Sequence, residues 1–238
     1  GSLYSGSGGA GTVAFIGMSP NASGLYVAST LQGAAPQLVV RSGDVLPGTP
    51  GHIIGPAVGH GLRDVDTNAN ASEGVLFVAL TDQSFGIFLA QTPTASSGHS
   101  ATTAISVNGS TPLPGCPPGH ATIGAVGVAP MLGPGALFAS FYAGNGEMTT
   151  MSTACEGIYT WCRRCQTAID VVADTQRQAA APVTSGSSGA RFTAFGQSSI
   201  AASVDDVATA DVAFYADSKS ITSGAVRRGV YLQPAAAG

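Results

Sequence analysis

Charge is what this sequence has least of. Of its 238 residues, 9% are Asp, Glu, Lys or Arg, against roughly 25% in ordinary soluble domains. There is one lysine, Lys219, and three glutamates. The surface positions fall instead to Gly, Ala, Ser and Thr, so little charge repulsion holds copies apart. The net charge of −4 argues against nucleic acid as a partner, which needs clustered Arg and Lys. No apolar run approaches the about 18 residues of a membrane helix, so no membrane span is expected. Tryptophan occurs once, at Trp161; packing beside a cysteine turn is the expected role, ahead of a sugar-stacking platform. Helix signals are scarce. Only Thr167–Ala181 has a helical composition, and Val171-Val172 inside it aligns with a strand of earlier units.

What is present is a repeated hairpin. Gly74 to Phe88, GVLFVALTDQSFGIF, reads as two apolar strands joined by a polar turn at Thr81–Ser84. The pair recurs as VAFIG with GLYVA, ALFASF with GIYTW, and VAFYA with GVYL. The phenylalanines Phe15, Phe77, Phe138 and Phe214 are spaced by 62, 61 and 76 residues. Such a period leaves room for three or four strands and their turns. The expectation is an all-β fold of four degenerate repeats of about 60–75 residues, β-propeller-like or a stacked β-sheet repeat. Residues 1–10 read as a flexible or docking arm. The glycines Gly6, Gly8 and Gly11 match a dinucleotide-binding spacing only by count, without the strand before or the helix after. Residues 11–238 read as one domain, with units near 11–66, 67–128, 129–203 and 204–238. Pro47-Gly48 and Pro112-Leu-Pro114-Gly115 stop the third strands of units one and two. Gly51 to Asp66 reads as irregular, with a weak strand at HIIG, and ATIGAVGVA and ARFTAF read as fourth strands of units two and three. Unit four stops after GVYL, one or more strands short.

The pattern G-x-V-A-F, then G-[IL]-[YF], then L-V-V-x-x-G-D-x-x-P-G resembles the bacterial choice-of-anchor tandem-repeat proteins with Asn-x-x-Gly-x-x-x-Phe repeats. Unit one carries its downstream part in Val39-Val40-Arg41-Ser42-Gly43-Asp44 and Pro47-Gly48. The signature departs from the pattern elsewhere. Asn70 stands seven before Phe77, but the glycine is Gly74, one place late, and units three and four lack the Asn. The resemblance implies a secreted, propeller-like protein without an established catalytic role.

Three Asn-x-Ser sequons, at Asn21, Asn70 and Asn108, are candidate glycosylation sites. With four cysteines and almost no lysine they point to an extracellular or cell-surface protein. The chain begins at Gly1 rather than Met and reads as processed, trimmed or partial. Cys162-Arg-Arg-Cys165 lies between two strands, where a two-residue turn sets both cysteines within disulfide reach. The expected pairing is Cys162–Cys165 with Cys116–Cys155; a four-cysteine zinc site and a redox C-x-x-C are the rivals.

Other candidate sites are sparser. Asp64, Asp66 and Asn68 present oxygen ligands at alternate positions, as at the start of a calcium loop. The glycine of that loop is missing, and the competing reading is a polar turn with no cofactor. His52 and His60 near Asp64 lack a fixed geometry. Asp170 with Asp174, and Asp205 with Asp206, are carboxylates that nothing brings to a defined separation. No G-x-S-x-G or H-E-x-x-H occurs. Arg227-Arg228 reads as a solvated turn or an edge guard. The chain is therefore expected to be non-catalytic: a structural subunit assembling with copies of itself by β-strand complementation. The alternative is a monomeric module binding glycan or protein, and a polysaccharide-active enzyme ranks last.

Overall fold

The structure, a computed structural model, describes residues 4–5, 12–29, 35–67, 74–91, 100–107, 111–112, 114, 131–132, 138–144, 156–163, 169–175, 178–179, 189–202 and 211–233. Among the described residues there are sixteen strands and no helix. They form four antiparallel sheets of four strands, each strand beside its neighbour in sequence. Sheet one holds β1 (Tyr4–Ser5), β2 (Thr12–Met18), β3 (Ser23–Ser29) and β4 (Gln37–Arg41). Sheet two holds β5 (Leu62–Thr67), β6 (Val75–Leu80), β7 (Phe85–Ala90) and β8 (Thr102–Val107). Sheet three holds β9 (Met131–Leu132), β10 (Phe138–Gly144), β11 (Glu156–Cys162) and β12 (Ile169–Asp174). Sheet four holds β13 (Gln178–Ala179), β14 (Ala190–Ala202), β15 (Val212–Ser220) and β16 (Val226–Gln233). The expected all-β repeat is what forms.

Each hairpin forms for local reasons. Its strands are rich in β-branched and aromatic residues, and its turn is closed by short polar side chains. At the tip of β6–β7, Thr81 N–H donates to the Ser84 carbonyl at 2.7 Å, and Ser84 N–H donates to Thr81 Oγ1 at 2.8 Å. At the tip of β2–β3, Ser19 N–H donates to the Ala22 carbonyl at 2.8 Å. The centre of every hairpin is a cross-strand aromatic pair: Phe15–Tyr26, Phe77–Phe88, Phe141–Tyr159 and Phe214–Tyr231. Their ring centroids are 5.6, 5.6, 5.9 and 5.9 Å apart, each contact adding about 0.5–1.5 kcal/mol beyond burial.

Side chains alternate across a strand, so each sheet has an aromatic face and an aliphatic face. Three apolar layers join the four sheets face to face. In the first, Leu25, Val27 and Val40 of sheet one meet Phe77 and Phe88 of sheet two. In the second, Leu76, Ile87 and Leu89 of sheet two meet Phe141 and Tyr159 of sheet three. In the third, Tyr142 and Ile158 of sheet three meet Phe192, Phe195 and Phe214 of sheet four. Every aromatic pair from sheet two onward thus points back at the preceding sheet.

Four expectations need correction. Phe138 is not the counterpart of Phe77: it pairs with Cys162, and Phe141 opposite Tyr159 takes that place. A three-residue offset changes the face on a strand of period two, so motif alignment alone chose the wrong phenylalanine. The segment read as irregular before Asp66 contains β5, and ARFTAF lies within β14. Both join the following hairpin rather than the preceding one, so the sheets begin one strand earlier than the expected units. Antiparallel neighbours pair most readily across short connections; seven residues lie between Thr67 and Val75, and twenty between Arg41 and Leu62. HIIG is no strand: Ile53 makes a single bridge to Thr81.

The long connection from sheet one to sheet two is itself tied down. Gly43 N–H donates to the Ile53 carbonyl, and Ile53 N–H returns a bond to the Asp44 carbonyl, both at 2.9 Å. Asp82, in the β6–β7 turn, accepts the His52 N–H at 2.9 Å. Thr81 Oγ1 donates to the Pro50 carbonyl at 2.9 Å. Gly51 has φ +82°, and the Asp82 carboxylate stands where its Cβ would be. Only glycine meets both conditions.

Candidate functional site

The feature that distinguishes one sheet from the other three is the outer edge of sheet four. In sheets one to three a fourth strand pairs with the second strand of the hairpin: β4 with β3, β8 with β7, β12 with β11. All three ladders carry a bulge at the same place, between Leu25 and Tyr26, Ile87 and Phe88, and Ile158 and Tyr159. The bulge inserts one residue of the fourth strand opposite the aromatic pair and turns that strand over the hairpin. In sheet four the aromatic hairpin is β15–β16, and β16 is the last strand. The sheet reaches four strands by adding β13 on its other side. Among the described residues nothing stands where β4, β8 and β12 stand.

A glycine on each hairpin reports the same difference. Gly24, Gly86, Gly157 and Gly229 occupy equivalent positions, two residues before the second aromatic. A Cβ on Gly24 would meet Leu38 of β4 at 3.0 Å, and one on Gly86 would meet the Ser106 carbonyl of β8 at 2.6 Å. One on Gly157 would collide with the Ala173 carbonyl of β12. At Gly229 nothing lies within 4 Å. Among the described residues no strand pairs with the outer edge of β16 from Val226 to Leu232, the arrangement to which an extended peptide can add as a further strand. Arg227 and Arg228 sit at its start. The Arg228 Nε is 3.1 Å from Asp217 Oδ2 with the guanidinium 72% exposed, so this pair contributes about 1 kcal/mol or less.

The residues singled out from sequence do not gather. Asp64 and Asp66 lie on the paired strand β5, not in a loop, and Asn68 lies outside the described residues. His52 is exposed, its Nδ1 2.9 Å from the Gly43 carbonyl, which makes it a loop clasp. His60 is exposed, and its carbonyl accepts from Arg63 Nε at 3.1 Å. Among the described residues no three His, Cys, Asp or Glu side chains group to hold a metal ion. Asp170 is exposed and Asp174 buried on β12; Asp205 and Asp206 lie outside the described residues. Trp161 is buried between sheets two and three, so it is no stacking platform. Cys162 is half-buried at the end of β11. Cys116, Cys155 and Cys165 lie outside the described residues, and with them the expected pairing. Asn21 is exposed in the β2–β3 turn; Asn70 and Asn108 are outside the described residues. The described part of the amino-terminal arm, Tyr4 and Ser5, pairs with β2 of sheet one and not with β16. Among the described residues no helix is long and apolar enough to cross a membrane.

One polar contact bridges two sheets. Glu156 accepts from the Tyr142 hydroxyl at 2.9 Å within sheet three and from Phe195 N–H of sheet four at 3.2 Å. Sequence reading passed over Glu156, because a lone carboxylate opening a strand carries no motif.

Fold and edge together define a stacked antiparallel β-repeat protein. Compared with known protein families, curated proteins and solved structures, the chain matches none. The resemblance to the choice-of-anchor repeat proteins accordingly rests on the sequence motifs alone.

Proposed function

We propose that this chain is a non-catalytic, extracellular structural protein that assembles with copies of itself, β16 accepting an extended strand from a neighbour. One observation carries the reading. Three sheets seat a bulged fourth strand on the aromatic hairpin, and among the described residues no strand takes that place beside Gly229 in sheet four. A chain with 9% charged residues supports it, since little repulsion opposes approach. Strand donation from one copy to the next is heterologous, so it continues into a filament unless the geometry closes. The sequons and the few lysines support placement outside the cell.

The test is sedimentation velocity over a concentration series, with Gly229→Val as the probe. The new side chain meets nothing in the isolated chain but stands where β4, β8 and β12 lean over their hairpins. Wild-type mass that rises with concentration, and a Gly229→Val chain that stays monomeric, is the expected result. A wild-type chain that remains monomeric throughout overturns the reading.

A further inference from the structure

The stack has a direction, and its two ends are complementary. Each aromatic pair after the first is covered by the aliphatic face of the sheet before it. Phe77, Phe88, Phe141 and Tyr159 are all 0% exposed and Phe214 is 3% exposed. Phe15 and Tyr26, the same pair in sheet one, point away from sheet two and are half-exposed. Around them the outer face of sheet one carries Val13, Gly17, Gly24 and Leu38, with Arg41 opposite Gly24 toward the turn end, ion-paired to Asp44. The Tyr26 ring lies across Gly17 and Gly24, where a Cβ at either position would stand 2.9 Å from it. The pair is thereby laid flat on the sheet as a broad aromatic surface.

The other end is the converse. Leu25, Ile87 and Ile158 occupy one position, directly before the second aromatic, and each is 0% exposed under the following sheet. Val230 has that position in sheet four and is 75% exposed. Leu232 is 62% exposed, whereas Val27 and Leu89 at its position are 4% and 2% exposed. Ala213 and Tyr215 pair with Leu232 and Val230 and complete an apolar face. The Asp217–Arg228 ion pair lies toward the turn end of this face, level with Ser23, Phe85 and Glu156 in the other sheets.

We infer that these two end faces are an interface between copies of this chain: Phe15 and Tyr26 of one copy pack on Val230 and Leu232 of the next. The inference rests on the self-association reading and gives it a second contact, sheet on sheet, distinct from strand addition at β16. The occupant is a second copy because the contact already exists three times within the chain, aliphatic face against aromatic pair. The charges on the two end faces, Arg41 on one and Asp217, Lys219 and Arg228 on the other, lie toward the turn ends of the hairpins, away from Phe15, Tyr26, Val230 and Leu232, so burying those four side chains leaves the charges at the rim. Two copies joined at both ends would make a closed ring of eight sheets, within the range of propellers; open addition makes a filament.

The internal layers set the test. Leu38 is equivalent to Ala104 and Val171, which pack in the layers that hold Leu25 and Ile87 respectively. Leu38 of one copy should therefore approach Val230 of the next. Chains carrying Leu38→Cys and Val230→Cys are mixed and treated with a short bismaleimide, and mass is followed by sedimentation velocity. Expected are crosslinks between the two variants in preference to either alone. A Val230→Arg chain should raise the association midpoint at least about tenfold, while Val58→Arg, at a position 82% exposed and off both faces, should leave it unchanged. Dimers and longer species both support the inference. Association that Val230→Arg leaves intact but Gly229→Val abolishes overturns the end-face contact and leaves strand addition standing. Crosslinks of Val230→Cys only with itself also overturn it. A chain monomeric at every concentration overturns both.

Discussion

The equivalence of the four glycines makes opposite predictions for one chemical change. Gly86→Ala places a methyl 2.6 Å from the Ser106 carbonyl oxygen and 3.0 Å from the Phe88 ring. The oxygen belongs to backbone held in the β7–β8 ladder, so it cannot swing aside as a side-chain tip would. Strain of this kind in a packed interior costs about 1–3 kcal/mol. Gly229→Ala places the same methyl where nothing lies within 4 Å. There the gain is that of replacing a strand glycine, roughly 0.5–1 kcal/mol in favour of the folded state. The two variants should differ by about 1.5–4 kcal/mol, with opposite signs relative to wild type. For a chain of this size each kcal/mol moves Tm by about 2–4 °C. The assay is urea or thermal unfolding followed by circular dichroism, at protein concentrations below association. Gly229→Ala destabilising as much as Gly86→Ala would refute the reasoning, because it would mean that a strand already covers β16 in the isolated chain.

Three further outcomes follow from the same packing. Phe88→Ala removes a fully buried ring from the layer between sheets one and two and should cost about 3–5 kcal/mol, read as a lowered urea midpoint. Glu156→Ala removes an acceptor of the Tyr142 hydroxyl and of the Phe195 N–H between sheets three and four; a loss of about 1–3 kcal/mol and faster amide exchange at Phe195 are expected. Asp82→Ala removes the acceptor of the His52 N–H and should cost about 1 kcal/mol. Faster exchange at His52, with the sheet cores unchanged, is the check.

The hairpins and their turns were legible because their causes are local. Apolar alternation, Thr81 and Ser84 at one tip and Ser19 at another, and Pro-Gly stops all act within a few residues. β5 escaped notice because Arg63, Asp64 and Asp66 give it the look of a polar loop. Its backbone is nevertheless paired to β6 through a bulge between Arg63 and Val65. The recurrence of an aromatic hairpin at VAFYA and GVYL was legible in unit four. That no described strand takes the place beside Gly229 was not, since the bulged strand over Gly24, Gly86 and Gly157 exists only once β4, β8 and β12 have docked.

The amino-acid sequence by itself determined an all-β chain of four related hairpins, each centred on facing aromatic residues. Period-two alternation and turn chemistry are properties of neighbouring residues, and they need no distant partner. Tertiary structure decided which sheet each lone strand joins, that Phe141 rather than Phe138 completes the third pair, and that all four pairs face the same way along the stack. Alternation tells a strand that it has two faces. Which neighbour covers each face depends on the packing of residues some sixty positions apart, and only that packing leaves Phe15 and Tyr26 at one end and Val230 and Leu232 at the other.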